Sequence, residues 1–343
     1  MPPPTVKEVA DRAGVSAGTV SNVLNRPEVV SEETRLRVLQ AIDELGFVRN
    51  GSARALRVGR SRTIGMLVLD VGNPFFTDVA RGADDVVGRQ GSILTLVDLA
   101  DDAVRQRRTL DQLEEHRVQG VLITPVDGED PRLDELAARG VPVVLVDRRS
   151  GDPYRCSVAV DDVLGGQLAA QHLLEQGHES IAFVGGPIHL RQVADRRQGA
   201  ASAVQRAGAA AELTTFETPS PTIRSGLEAG RSIAAIAPER RPTAVFCAND
   251  LLALGVLQAF TSAGLRVPDD IAIIGYDDID FAAGAAVPLS SVRQPREELG
   301  RTAAELLFDE LRDPHGHRHR QVVFQPELVV RESSRLQADR SRR

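Results

Sequence analysis

A chain of 343 residues with 42% hydrophobic and 26% charged side chains carries enough apolar material for a small and a large domain, each with its own core, and is neither disordered nor fibrous in composition. No segment approaches the roughly 18 uninterrupted apolar residues of a membrane helix, and the start Met1-Pro2-Pro3-Pro4 has no secretory pattern, which predicts a cytoplasmic protein. The net charge of −7 speaks against a uniformly phosphate-binding surface, yet residues 1–62 are net +3 and the remainder net −10, so positive charge gathers at one end.

The first element begins at Thr5-Val6-Lys7-Glu8, a capping box, and places Val6, Val9, Ala10 and Ala13 on one apolar stripe before Gly14 permits a tight turn. Ser16 caps a second helix, with Val20, Val23 and Leu24 inward and Ala17, Gly18, Thr19, Ser21, Asn22 and Asn25 outward. Ser31 is expected to cap a third, with Glu32 and Glu33 in its first turn, Leu36, Leu39, Ile42 and Leu45 as its buried side, and Gly46 closing it. Residues 1–47 thus read as an all-α helix-turn-helix head, whose second helix is the one that enters a major groove.

Residues 48–62 read as a hinge helix and linker. Arg49, Arg54, Arg57, Arg60 and Arg62 follow one another without an acidic residue, and Ala53 and Leu56 share a face of a helix too short to form without a partner.

From Thr63 the pattern becomes apolar strands alternating with helices, the signature of parallel sheets flanked by helices. Strands are predicted at Ile64–Leu69, Ile93–Leu96, Gly120–Ile123, Val143–Val146, Ile181–Val184, Ala244–Cys247 and Ile271–Ile274. Ile64, Gly82 and Gly91 recur as Ile181, Gly199 and Gly208 at a constant offset of 117 residues, so one strand-loop-helix unit is used twice. Two such sheets place a cleft at the carboxyl ends of their strands. The polar stretches there are Asp70 to Phe76, Asp147-Arg148, Asp195-Arg196, Asn249-Asp250 and Tyr276-Asp277-Asp278, all predicted to face one opening.

The motifs Thr5-Val6-Lys7-Glu8-Val9-Ala10, Gly14-Val15-Ser16, Thr19-Val20-Ser21 and Val23-Leu24-Asn25, followed by Asn50, Ala53 and Leu56 at spacings of three, resemble the LacI/GalR family from about Thr5 to about Ser333. The resemblance implies a two-lobed, type I periplasmic-binding-protein-like domain over 63–333. One lobe would span 63–162 with a return segment at about 292–320, and the other 163–291 with the C-terminal strand. The basic tail, 334–343, is expected to be disordered.

The resemblance also implies a homodimer, with a tetramer as the alternative, on a pseudo-palindromic operator in double-stranded DNA. Thr5, Ser16, Thr19, Ser21 and Asn25 would position the phosphates while Ala17, Gly18 and Asn22 face base edges. Ala17 reaches only a thymine methyl and Gly18 has no side chain, so Asn22 would carry most of the readable specificity. Leu56 would wedge into the minor groove beside Asn50, Ala53 and Arg54.

For the effector the resemblance points to Asn73, Phe75, Phe76, Asp147, Arg148, Arg196, Asn249, Asp277 and Gln294, the two phenylalanines by apolar contact and the rest by hydrogen bonds. Asp195, Asp250 and Asp278 read equally well as helix caps or surface ion pairs. Leu190 and Val193 stand where the purine-responsive branch has polar groups, and no aromatic stands near Pro221, so a sugar or sugar derivative is expected over a purine.

The remaining constellations point away from chemistry. Cys156 and Cys247 are read as small core residues, and His315, His317 and His319 as a solvated loop without nearby thiolates rather than a metal site. His172, His178 and His189 show no ligand spacing either. No nucleophilic triad or phosphate loop appears, so an enzyme is not expected and no cofactor is implied. A transport solute-binding protein shares the two-lobed fold but has no use for residues 1–60. A repressor is expected, with an activator as the alternative, and the sequence does not choose between inducer and corepressor.

Overall fold

The computed structural model describes residues 4–47, 61–128 and 130–335, and the chain divides after Ser61 into two compact units. Of the predicted hinge helix and linker, 48–62, residues 48–60 lie outside the described residues, as does the predicted tail from 336 onward.

In the small unit the helices are α1 (Val6–Ala13), α2 (Ala17–Asn25) and α3 (Glu32–Leu45). Both halves of the Thr5–Glu8 capping box are formed, and Gly14 adopts φ 66°, a left-handed conformation that a side chain would strain. Ser16 caps α2 by accepting from the Thr19 amide at 3.0 Å. Ser31 makes no such bond, because its hydroxyl instead donates to Thr34 Oγ1 at 3.0 Å.

The core of this unit is Val9, Ala10, Ala13, Val20, Val23, Val38, Ala41 and Phe47, with Leu24, Ile42 and Leu45 packed at its edge. The expected α3 face is therefore corrected. Val38, Ala41 and Leu45 form the inward stripe, while Leu36 and Leu39 are 56% and 41% exposed. A helix turns roughly 100° per residue, so Leu39 is rotated well away from Val38 and Leu36 points to the far side. The Val6 side of α1 is also partly open.

The large unit holds two six-stranded sheets. The first contains β1 (Thr63–Val68), β2 (Ile93–Asp98), β3 (Gly120–Ile123), β4 (Val143–Val146), β5 (Ser157–Val160) and β11 (Gln321–Phe324), in the order β11-β5-β4-β3-β1-β2. The second contains β6 (Ser180–Gly185), β7 (Glu212–Glu217), β8 (Ala244–Cys247), β9 (Ala272–Asp277), β10 (Ser290–Arg293) and β12 (Glu327–Val329), in the order β12-β10-β9-β8-β6-β7. All pairings are parallel except β10 with β12.

The helices of this unit are α4 (Pro74–Arg89), α5 (Ala103–Glu115), α6 (Pro131–Ala138), α7 (Asp162–Glu175), α8 (Arg191–Ala207), α9 (Ile223–Ala234), α10 (Asp250–Ser262), α11 (Asp280–Ala283) and α12 (Arg296–Arg312). The chain passes between lobes three times: at Asp161 between β5 and α7, at Gln294-Pro295 between β10 and α12, and at Gln325-Pro326 between β11 and β12. The return segment thus runs through Phe324.

All seven predicted strands are present to within a few residues, and the C-terminal strand expected in the second lobe is β12; β5, β7, β10 and β11 were not foreseen. Of these, β7 and β11 are edge strands without a fully buried apolar run, and β5 and β10 are buried interior strands of only four residues, each opening on serine, too short and too mixed to mark a strand in the sequence.

The internal repeat is real in space. β1 and β6 begin 117 residues apart, as do α4 and α8. Each repeated helix crosses a partner at paired glycines. A Cβ on Gly82 would lie 1.9 Å from the Glu297 carbonyl oxygen and one on Gly300 1.8 Å from that of Val79; in the other lobe Gly199 would meet the Val163 oxygen at 2.0 Å and Gly166 that of Arg196 at 2.0 Å. These backbones touch, so Gly199→Ala is expected to lower the stability of the large unit by about 1–3 kcal/mol through overpacking, read as a reduced denaturation midpoint. A midpoint unchanged by the substitution would mean that the α7–α8 crossing is slack.

Candidate functional site

On the small unit, the exposed face of α2 presents Ala17, Gly18 and Asn22, with Thr19 and Ser21 half-buried beside them. The hydroxyls around that face are already held in place. Ser16 Oγ and Thr19 Oγ1 lie 2.9 Å apart, Asn25 Nδ2 donates to the Ser21 carbonyl at 2.8 Å, and Thr5 Oγ1 donates to Glu8 at 2.9 Å. The result is a rigid, shallow polar surface at a helix N-terminus, where the amide dipoles favour an anion. Asn50, Ala53, Arg54 and Leu56 lie outside the described residues.

In the large unit, a cavity of about 50 Å³ lies between the lobes, lined by Leu69, Asn73, Phe75, Phe76, Asp147, Leu190, Gln192, Val193, Arg196, Pro221, Ala248, Asn249 and Asp277. The strand-following residues stand at the carboxyl ends of β1, β4, β8 and β9, as an open α/β sheet demands of its binding crevice. Of the predicted effector residues, Asn73, Phe75, Phe76, Asp147, Arg196, Asn249 and Asp277 come together here.

Arg196 is 5% exposed and organises the site. It lies one helical turn after Gln192 and Val193 on the inner face of α8. Its Nε donates to Asp162 Oδ1 at 2.8 Å, Nη1 donates to the Ala248 carbonyl at 2.8 Å and stands 3.7 Å from Asp277, and the guanidinium lies 3.7 Å above the Tyr276 ring. Burial opposes the charge, but Asp162, Asp277 and Asp147 outweigh it and keep Arg196 cationic.

One guanidinium cannot balance three buried carboxylates. Burial, with Asp162 adding to it, pushes Asp147 up to about 8; burial also raises Asp277, to about 6, against the opposing charge of Arg196. Asp147 and Asp277 both hold positive φ, 56° and 101°, a conformation that costs non-glycine residues energy and that recurs at functional sites. The lobes are bridged by the same groups: Gln192 Nε2 donates to Asp147 Oδ2 at 3.0 Å, and Asn73 Nδ2 to Asp277 Oδ2 at 3.4 Å. Asp147 Oδ1 is buried with no hydrogen-bond partner among the described residues.

The other expected residues stand beside or behind this cavity. Arg148 borders a separate cavity of about 550 Å³ with Arg149, Asp161 and Asp195. Gln294 stands behind the site, donating to Asp277 Oδ1 at 2.8 Å. Asp250 is buried against Ser291 Oγ and the Ile279 amide, Asp278 pairs with Arg293 and Arg331, and Asp195 pairs with Arg191, so none of the three faces the cavity. Asn249 spends its side chain on capping α10 through Leu252 and on the Pro221 carbonyl.

Gln192 and Asp162 were missed. Gln192 stands four residues before Arg196 on one helix face, a legible signal, whereas nothing in the sequence marks Asp162. His315 is solvent-exposed as expected, but His317 and His319 lie against the Cys156 thiol, so the reading of a histidine loop remote from thiolates is wrong.

Comparison with known proteins agrees with both units. Residues 5–50 match the family of bacterial regulatory proteins of the lacI type, and residues 170–334 match a periplasmic binding protein-like domain. The chain is 37% identical over 330 residues to the HTH-type transcriptional repressor PurR of Photobacterium profundum, covering 96% of this chain and 98% of that one. It is 35% identical over 331 residues to the ribose operon repressor of Escherichia coli K12, covering 96% and 99%. Its fold overlays the crystal structure of the lac repressor dimer bound to operator and the anti-inducer ONPF with a TM-score of 0.84 at 27% identity, covering 97% and 99%.

Proposed function

The chain belongs to the lacI family of bacterial regulatory proteins, and from that premise we propose that it is a cytoplasmic repressor that binds a pseudo-palindromic operator as a homodimer under the control of a small sugar or sugar derivative. It is a transcriptional regulator and not an enzyme. No helix among the described residues is long and apolar enough to cross a membrane.

The observation that carries the ligand reading is the unsatisfied buried oxygen of Asp147 beside Arg196 and Asp277. Acceptors and a charged donor around a narrow space suit a ligand whose surface is mostly hydroxyl. Leu190 and Val193, which line the cavity beside Gln192, offer no group that reads the polar edge of a base, which favours a sugar over a purine. A ribose operon repressor among the relatives lends support. The closed cavity is far below the roughly 300 Å³ of an occupied pocket, so entry would part the Gln192–Asp147 and Asn73–Asp277 bridges and the ligand would replace them. Effector and operator would then be coupled because each prefers a different lobe geometry, with the coupling reciprocal.

The test is to recover bound genomic fragments with the full chain, footprint them, and titrate the complexes with a panel of pentoses, hexoses and purines. A palindromic site whose occupancy responds to a sugar supports the reading. Response to a purine alone would overturn the effector class, and absence of any footprint would overturn the operator.

Asp147 gives this reading a pH signature. At pH 7 a carboxyl with its pKa near 8 is mostly protonated, and a ligand hydroxyl donating to it would favour the ionised form. Sugar binding is therefore expected to release up to about one proton and to tighten as pH rises from about 6 to 8. Calorimetry in buffers of different ionisation heat measures the release, and Asp147→Asn should abolish it. Without ligand the sign reverses: a carboxyl raised in the folded state stabilises the fold below its unfolded pKa of about 4, and that contribution is lost as pH climbs through about 8.

A further inference from the structure

We propose that Cys156, Glu310, His317 and His319 form a tetrahedral site for one late first-row divalent cation, Zn(II) by preference, at the edge of the first sheet where β5 and β11 begin. The four donor atoms all lie within 4.8 Å of one another. Cys156 Sγ is 3.2 Å from His317 Nε2 and 3.7 Å from His319 Nδ1, and that nitrogen is 3.9 Å from Glu310 Oε2. Ligands at zinc distances in a tetrahedron stand about 3.3–3.6 Å apart, so a cation could be seated with side-chain shifts of up to about 1 Å.

The donors converge from three segments: the residue before β5, the last turn of α12, and the loop leading into β11. Glu310, only partly exposed, has His319 as its one charged partner among the described residues. The outer contacts are those a bound thiolate requires. The Arg320 amide donates to Cys156 Sγ at 3.4 Å, and the Arg320 side chain is pinned by Asp309 at 2.9 Å. One thiolate, two imidazoles and a carboxylate are the borderline-soft set that selects Zn(II), Co(II) or Ni(II) over Mg(II) or Ca(II). All four positions come from protein, so the site would be structural, clipping α12 and β11, the strand that leads into the third crossover, to β5.

The experiment uses the full chain without an affinity tag, stripped with chelator and titrated with Co(II). Expected are one equivalent bound, red ligand-field absorption of a tetrahedral ion, a sulfur-to-cobalt charge-transfer band, and a rise in Tm of at least about 3 °C with Zn(II). Cys156→Ser should remove the charge-transfer band while Cys247→Ser, at the other cysteine, leaves it. His317→Ala, at a partly exposed loop residue, should weaken Zn(II) at least about 100-fold in competition with a chromophoric chelator. Binding of less than a tenth of an equivalent at about micromolar cation, or equal affinity in wild type and His317→Ala, would overturn the site.

Discussion

Arg196→Ala is expected to weaken effector binding by at least about 100-fold while operator affinity without effector stays within a few-fold of wild type. Arg196 is the one cationic donor to the cavity among the described residues, and hydrogen bonds to a charged group contribute about 1.5–3 kcal/mol each. Loss of one or two accounts for the factor of 100, since 2.7 kcal/mol is two decades in Kd. The guanidinium also offsets Asp162 and Asp277, and removing one partner of a buried pair costs about 3–5 kcal/mol unless the carboxylates take up protons. A lower Tm, recovering partly toward pH 5, should therefore accompany the loss.

Arg196→Lys separates these two effects. Lysine keeps the charge that balances Asp162, so it should restore much of the Tm. It cannot reach Asp162 and the Ala248 carbonyl together as a planar fork does, nor lie flat on Tyr276, so ligand affinity should stay low. Titration calorimetry with the responding sugar and thermal denaturation across pH read both quantities. Wild-type affinity in Arg196→Ala would remove this residue from the binding reaction.

The same cluster shows what a sequence can and cannot disclose. Thr5 and Glu8 are three residues apart and their box is local chemistry, so it was legible, as was the central strand Gly120–Ile123 from its apolar run. The repeat at 117 residues announced two lobes and, with them, a cleft at the strand ends. Which of Asp277 and Asp278 enters that cleft was not legible. They are neighbours of the same type, both with positive φ, and only their partners separate them: Arg196 and Gln294 meet Asp277, while Arg293 and Arg331 tie Asp278 down. Arg196 meets Asp162 across 34 residues and Cys156 meets His317 across 161, contacts that exist only because two helices cross at glycines and a returning strand pairs with β5. The α3 error has the same origin: four leucine-type positions looked equivalent until packing against α1 and α2 chose Val38 and Ala41 instead.

Leu56→Ala is expected to weaken operator binding on the order of 100-fold while binding to unrelated duplex changes less than about threefold. Leu56 lies outside the described residues, and its role rests on the family resemblance of Asn50, Ala53 and Leu56 at their spacing. An apolar wedge opens a base step at a cost of a few kcal/mol, recovered by the contacts that the bent duplex permits; an alanine methyl is too short to hold the step open. Nonspecific binding depends instead on phosphate neutralisation, and Arg49, Arg54, Arg57, Arg60 and Arg62 are untouched. The slope of log affinity against log salt should accordingly be unchanged while the specific constant falls, and Leu56→Met, long enough to insert, should recover most of it. Parallel titrations on operator and scrambled duplex at several salt concentrations measure all three, and a loss shared equally by the two duplexes would show that this leucine grips no groove.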